Sequence, residues 1–180
     1  QKDSIEAIQK PPLIDFESGI FLELGISIAP TMESYSHVST FGGGISYKAI
    51  FGGFLVEEFQ GGLYSTLVFP NRFHLQYKHG RAFFGVRAMN KRFVEIDMRI
   101  SYGLGDMVWV RESNNENFIR SEYAIVQPEL TILFTPVNWV KAYASLGYKH
   151  VSNLDLANVT DEDFSGLTFG IGIRCGIYRQ

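Results

Sequence analysis

The chain has little of several things that would narrow its fold. It has one cysteine, Cys175, among 180 residues, which rules out an intramolecular disulfide framework and any multi-cysteine metal site. No apolar run approaches the ~18 residues that a membrane-spanning helix requires. Helical periodicity is nearly absent. Ser4 to Lys10 has room for one short helical turn, and Pro11-Pro12 would end it. The formal net charge is −3, so no global basic field argues for nucleic acid. Gly42-Gly43-Gly44 is followed neither by Lys-Ser/Thr nor by a helix. That sets aside a phosphate loop and leaves a strand with room to bend or pack closely.

Aromatic side chains are abundant, at 14% with 15 Phe and 9 Tyr, and glycine is frequent at 18. The length suits one domain. Gln1-Lys2-Asp3-Ser4 reads as the start of a mature chain whose leader has been removed. Residues 1–16 form a segment ahead of the first strand, and the rest follows a period of two. Ile20, Leu22, Leu24, Ile26 and Ile28 share one face, with Phe21, Glu23, Gly25 and Ser27 opposite. Val94, Ile96, Met98, Ile100, Tyr102 and Leu104 oppose Glu95, Asp97, Arg99, Ser101 and Gly103. Residues 124–134 follow the rule with Ile125 and Leu133 as exceptions. Val140, Ala142, Ala144, Leu146 and Tyr148 oppose Lys141, Tyr143, Ser145, Gly147 and Lys149. Leu167, Phe169, Ile171, Ile173, Cys175 and Ile177 oppose Thr168, Gly170, Gly172, Arg174 and Gly176.

Eight strands follow, near 18–29, 37–48, 54–68, 72–88, 92–106, 120–134, 138–151 and 164–178. The glycine pairs at 52–53 and 61–62 mark turns or bends. Asn90-Lys91 and 135–138 read as tight turns, and longer polar links fall at 30–37, 107–119 and 152–163. Pro128 inside a strand requires a bulge or a local gap in pairing.

The apolar face is almost pure hydrocarbon over about ten residues per strand, the length of a tilted strand crossing a bilayer, roughly 9–11 residues. The polar face mixes Gly, Ser and Thr with charges of both signs, which suits a narrow, filled interior. Closure removes the strand edges that lipid would not tolerate. The expected fold is therefore all-β: an eight-stranded antiparallel up-and-down transmembrane β-barrel, one domain over residues 1–180, in the outer membrane of a Gram-negative bacterium. A soluble barrel holding a lipid inside is the alternative fold. Phe134, Trp139, Tyr148 and Tyr178 read as interfacial girdle residues, and Cys175 as a small lipid-facing residue. The chain ends Tyr178-Arg179-Gln180, without the terminal aromatic of many bacterial barrels. Glu95, Asp97, Arg99, Glu129, Lys141, Lys149 and Arg174 read as an interior ion-pair network, because charges in a lumen with little water must pair. His74 and His79 read as strand-end or loop residues.

The stretch "YKHVSNLDLANVTDEDFSG", residues 148–166, breaks the greasy alternation. Continuing the even parity of its strand points His150 and Ser152 outward, about 6.6 Å apart along the strand. Counting back from Leu167 and Ser165 places Asp163 outward as well, beside His150 on the neighbouring strand. Serine is a weak nucleophile until a histidine takes its proton, and a carboxylate orients and stabilises that histidine. Asn153 could donate its amide to the developing oxyanion.

Tyr148-Lys149-His150-Val151-Ser152-Asn153 resembles the His-x-Ser-Asn motif of the PagL-type lipid A 3-O-deacylases, over about thirty C-terminal residues. That family consists of eight-stranded outer-membrane barrels with an outward Ser-His-Glu triad. The resemblance implies hydrolysis of an ester-linked 3-hydroxyacyl chain of lipid A. It makes Ser152 the nucleophile, His150 the base and Asn153 the oxyanion donor, with no metal and no organic cofactor. The partner it implies is a membrane lipid, lipid A or lipopolysaccharide, and not nucleic acid. The family's glutamate falls at Phe164 here, so the acid is Asp163 by strand parity or Glu162 by residue type. Leu154-Asp155 stand where the family has small residues. The functional alternative is a structural or adhesive barrel without catalysis.

Overall fold

A computed structural model describes residues 18–31, 34–64, 73–91, 93–111, 116–137, 139–156 and 159–179. The expectations for residues 1–16, the short helical turn among them, lie outside these residues. The chain closes into a barrel of eight antiparallel strands in sequence order. They are β1 (Ser18–Thr31), β2 (Ser34–Tyr47), β3 (Ile50–Tyr64), β4 (Phe73–Lys91), β5 (Val94–Arg111), β6 (Glu116–Val137), β7 (Val140–Ser152) and β8 (Gly166–Arg179). β8 pairs back onto β1 from Ser18↔Arg179 to Ile28↔Phe169, so no edge remains.

β4, β5 and β6 are longer than the alternation predicts, and the expected link at 107–119 contracts to the span between Arg111 and Glu116. Apolar residues on the inward face continue the sheet beyond the belt. Leu75, Tyr77, Met107, Trp109, Tyr123 and Ile125 pack with Val38, Phe59, Val151 and Phe164 into a buried core. Ile125 and Leu133, the exceptions to the alternation, are inward and buried. Gly52 and Gly53 lie inside β3, and the turn before it is Lys48-Ala49. The 61–62 pair also falls within β3, where its register with β4 shifts between Gln60 and Tyr64. Pro128 takes the gap and not the bulge. The β6–β7 ladder runs from Ala124↔Ser152 to Val126↔His150 and resumes in the same register at Glu129↔Gly147.

The faces separate by parity. Ile171 is 67% exposed, Ile132 51% and Leu130 42%, while Thr131 and Leu133 between them are at most 1% exposed. Ile96 is half-buried on the same outer face. A soluble lipid-binding barrel would have the reverse arrangement, so that alternative does not describe this fold. Phe134, Trp139 and Tyr148 are exposed on the outside, as girdle residues should be. Tyr178 is not among them. It points inward, packs beside Phe21, Phe51, Leu55 and Phe83, and lies 4.1 Å from the Lys141 ammonium by its ring centroid. Even positions on β8 face the lumen, and that parity overrides its place near a strand end.

Salt bridges fill the lower lumen. Arg174 reaches Glu23 at 3.0 Å and Asp97 at 2.8 Å, Arg99 reaches Glu23 at 2.9 Å and also Glu129, Arg87 reaches Glu95 at 3.1 Å, and Lys141 pairs with Glu95. Lys149 stands apart from this group. Its ammonium lies 5.4 Å from the Tyr77 ring and 5.8 Å from the Phe164 ring. His79 departs from its expected strand-end placement. It is 2% exposed inside β4, bonded through Nε2 to Glu57 at 2.7 Å and through Nδ1 to the Tyr123 hydroxyl at 3.0 Å. The odd parity of β4 sends it inward, where Glu57 supplies the partner that burial demands.

Glycine makes room for one inward ring. A Cβ on Gly25 or Gly172 would overlap the Tyr143 hydroxyl or ring, as well as neighbouring backbone. Gly172→Ala should therefore destabilise the barrel by about 1–3 kcal/mol through overpacking. Urea unfolding in detergent should show the loss, and Gly172→Ala/Tyr143→Phe should recover part of it.

Candidate functional site

The short Lys48-Ala49 turn, the β4–β5 and β6–β7 links, and the paired ends Ser18 and Arg179 lie at one end of the barrel. The β7–β8 link lies at the other, with the β3–β4 and β5–β6 links. Barrels of this architecture keep short turns on the periplasmic side and longer loops outside. The stretch 153–165 therefore belongs to the external end.

The outer face changes character near that end. On β6 the outward row runs Phe134, Ile132, Leu130 and then reaches Glu122 and Arg120. On β5 it runs Met98, Ile100, Tyr102, Leu104 and then Asp106. Across the sheet, Glu58, Lys78, Asp106 and Glu122 stand in one register. β7 follows the same course: Ala142, Ala144, Leu146, Tyr148, then His150 and Ser152. The alternation that waterproofs the lower barrel thus delivers an imidazole and a hydroxyl at the upper margin of the belt.

His150 is exposed and faces Val126 across the ladder; Ser152 is half-buried and faces Ala124. Both point outward, as the parity predicts. Among the described residues no hydrogen bond joins His150 to Ser152 or to either candidate acid. Asn153 is exposed and adopts a left-handed backbone with φ 65°, a conformation that asparagine tolerates better than most residues. It turns the chain sharply out of β7.

The acids do not continue the count. β8 begins at Gly166, and Asp161–Phe164 form a 3-10 turn instead of an outward strand. The Asp163 carboxylate accepts the Thr160 N–H at 2.7 Å and the Thr160 hydroxyl at 2.9 Å. The expected strand position of Asp163 beside His150 is thereby corrected. Phe164 is 1% exposed and meets the Tyr77 ring edge-on at 6.1 Å. Burying that ring is worth about 2 kcal/mol, and turning it inward breaks the period of two. Glu162 is exposed on the same turn, which packs against the end of β7.

Polar contacts hold the link in place. The Val151 N–H donates to the Ser165 hydroxyl at 2.9 Å, and that hydroxyl donates to the Asp161 carbonyl at 2.7 Å. Leu154 N–H donates to the Asp161 carboxylate at 2.8 Å, and Asp155 N–H to the Ser121 hydroxyl at 3.0 Å. Ser165 thus extends the β7–β8 pairing by one side chain where β8 has ended. The sequence reading missed these groups. It also missed Asp106, Arg120 and Glu122, although the change from hydrocarbon to charge along one parity of β5 and β6 marks them.

No protein-family model and no curated protein sequence matches the chain. Solved structures of the same fold do. Ail, the attachment invasion locus protein of Yersinia pestis, is 14% identical, with a TM-score of 0.53 over 91% of this chain and 100% of that one. Neisserial surface protein A is 8% identical, with a TM-score of 0.61 over 88% and 96%. The N-terminal β-barrel domain of Pseudomonas aeruginosa OprF is 13% identical, with a TM-score of 0.50 over 91% and 100%. At these identities the likeness is one of fold: a closed eight-stranded barrel. With its hydrocarbon exterior, this is a barrel of the Gram-negative outer membrane.

Proposed function

We propose that the barrel is an outer-membrane serine esterase that removes an ester-linked 3-hydroxyacyl chain from lipid A or lipopolysaccharide. The observation that carries the reading is the shared outward placement of His150 and Ser152 where the hydrocarbon belt meets the polar margin. An acyl ester of a membrane lipid would lie at that height. Ser152 attacks the acyl carbonyl, His150 takes its proton and gives it to the leaving sugar oxygen, and Asn153 faces the oxyanion. A water that His150 activates then hydrolyses the acyl-Ser152 ester to free the fatty acid and restore Ser152. Asp163, released from Thr160, or its neighbour Glu162, both on the turn that packs against β7, orients His150. Purified barrel in detergent should release free 3-hydroxy fatty acid from lipopolysaccharide. Mass spectrometry should show a lipid lighter by one acyl chain, and no release would overturn the reading.

One observation favours a barrel without catalysis. Asp163 is engaged with Thr160 and not with His150. A structurally similar protein is the attachment invasion locus protein, and adhesion would use the same external end. Asp163→Asn and Glu162→Gln separate the roles. The variant that lowers release and shifts its pH profile carries the triad acid; unchanged release in both places that acid elsewhere, and absence of release from the unsubstituted barrel supports the adhesive reading.

A further inference from the structure

Beside Ser152 lies a groove of about 440 Å³ between the tops of β5 and β6, lined by Leu104, Asp106, Arg120, Glu122, Ala124 and Asn153. Ala124 is the ladder partner of Ser152, so the groove opens one strand away from the proposed nucleophile. Its lower rim is apolar: Leu104 is 63% exposed and begins the hydrocarbon belt. Its upper wall is polar and solvent-exposed. Arg120 directs Nε at 3.0 Å and Nη2 at 2.8 Å to the same Asp106 oxygen, Oδ1. Among the described residues that leaves the Arg120 Nη1 and the Asp106 Oδ2 without partners, and the Asn153 amide as well. The groove is thus greasy below, and above it presents a guanidinium, carboxylates and an amide.

The charge balance selects the ligand. Asp106 and Glu122 line the groove against Arg120, and Lys78 stands beside Asp106 in the ladder, so no excess of positive charge draws a bare phosphate. Alternating donors and acceptors suit hydroxyl groups, each of which both donates and accepts. We propose that this groove binds the sugar hydroxyls of a glycolipid headgroup, with Asp106, Arg120 and Asn153 as the specificity-determining contacts. Seated there, the sugar hangs its acyl chains down the belt and sets an ester on Ser152 across the β6–β7 pair. The inference rests on the esterase reading, and its test is chosen to be independent of turnover.

The test uses the full barrel carrying Ser152→Ala, reconstituted in detergent micelles. Calorimetric titration compares an acylated glucosamine lipid with a phosphatidylcholine bearing the same chains, whose headgroup has no hydroxyl and no net charge. The glucosamine lipid should bind at least about tenfold more tightly, because hydrogen bonds to charged partners are lost with the other lipid. Arg120→Gln and Asp106→Asn, each added to Ser152→Ala, should erase that preference while unheated gel migration still shows a folded barrel. Inorganic phosphate should not displace the sugar lipid. Equal affinity for the two lipids, a preference that survives both substitutions, or displacement by phosphate would overturn the proposal. Failure of the esterase reading shows separately, as absent fatty-acid release from the unsubstituted barrel, while the binding preference still decides the groove.

Discussion

Replacing Ser152 with alanine should lower fatty-acid release by a factor of about 10⁴ or more while leaving the barrel folded. Covalent catalysis by a serine and its base fails as a unit, so His150→Ala should fall to a similar level, and the double variant should be scarcely worse than either single one. The expectation follows from position. Both side chains lie on the outward parity of β7, at its last two outward places, and neither contributes to the buried core. Their loss should therefore leave the unfolding midpoint unchanged. Rates fitted from released 3-hydroxy fatty acid, compared with urea midpoints of the same preparations, separate chemistry from stability. Full activity in both single variants would remove Ser152 and His150 from the mechanism.

The second large effect belongs to the lumen. Arg174→Met should cost about 3–5 kcal/mol, the usual penalty for breaking a buried ion pair and leaving a charge behind. Arg174 is 1% exposed and bridges Glu23 on β1 to Asp97 on β5. Its guanidinium also lies 4.6 Å from the Phe21 ring centroid. Arg99 still reaches Glu23 and Arg87 still reaches Asp97, so neither carboxylate becomes fully isolated, and the lower end of the range is expected. Arg120→Met removes an ion pair on the wetted outer surface and should move the unfolding midpoint little. Urea titrations of the two variants side by side measure that contrast. Equal, small shifts would mean that the lumen is hydrated enough to tolerate unpaired carboxylates.

The sequence makes the lower barrel legible because one rule governs it. Ile20 to Ile28 and Leu167 to Ile177 obey a strict period of two, with lipid on one side and a packed lumen on the other. The strands near the external end are harder to read. There the inward face becomes apolar, with Leu75, Tyr77, Met107 and Trp109, while the outward face turns polar at Lys78 and Asp106, so the rule that polar residues mark the lumen inverts before the strands end. His79 is illegible for a related reason: its partner Glu57 lies on another strand and is invisible in linear order. At the candidate site, parity locates His150 and Ser152, since β7 keeps its pairing to Ser152. It fails for Asp163 because Phe164 is drawn into the apolar core and the Ser165 hydroxyl takes over a backbone partner. A count of two per residue pair cannot anticipate a ring that packs inward.

An esterase facing the membrane requires that the outer face of the barrel contact hydrocarbon. Spin labels placed one at a time at 130, 131, 132, 133 and 134 of a Cys175→Ser barrel in lipid vesicles test that directly. Relaxation by oxygen, which concentrates in lipid, is compared with relaxation by a water-soluble nickel chelate. The labels at 130, 132 and 134 should be strongly relaxed by oxygen and weakly by nickel, with those at 131 and 133 shielded from both. High nickel accessibility at 130, 132 and 134, or oxygen accessibility that does not alternate along β6, would contradict it.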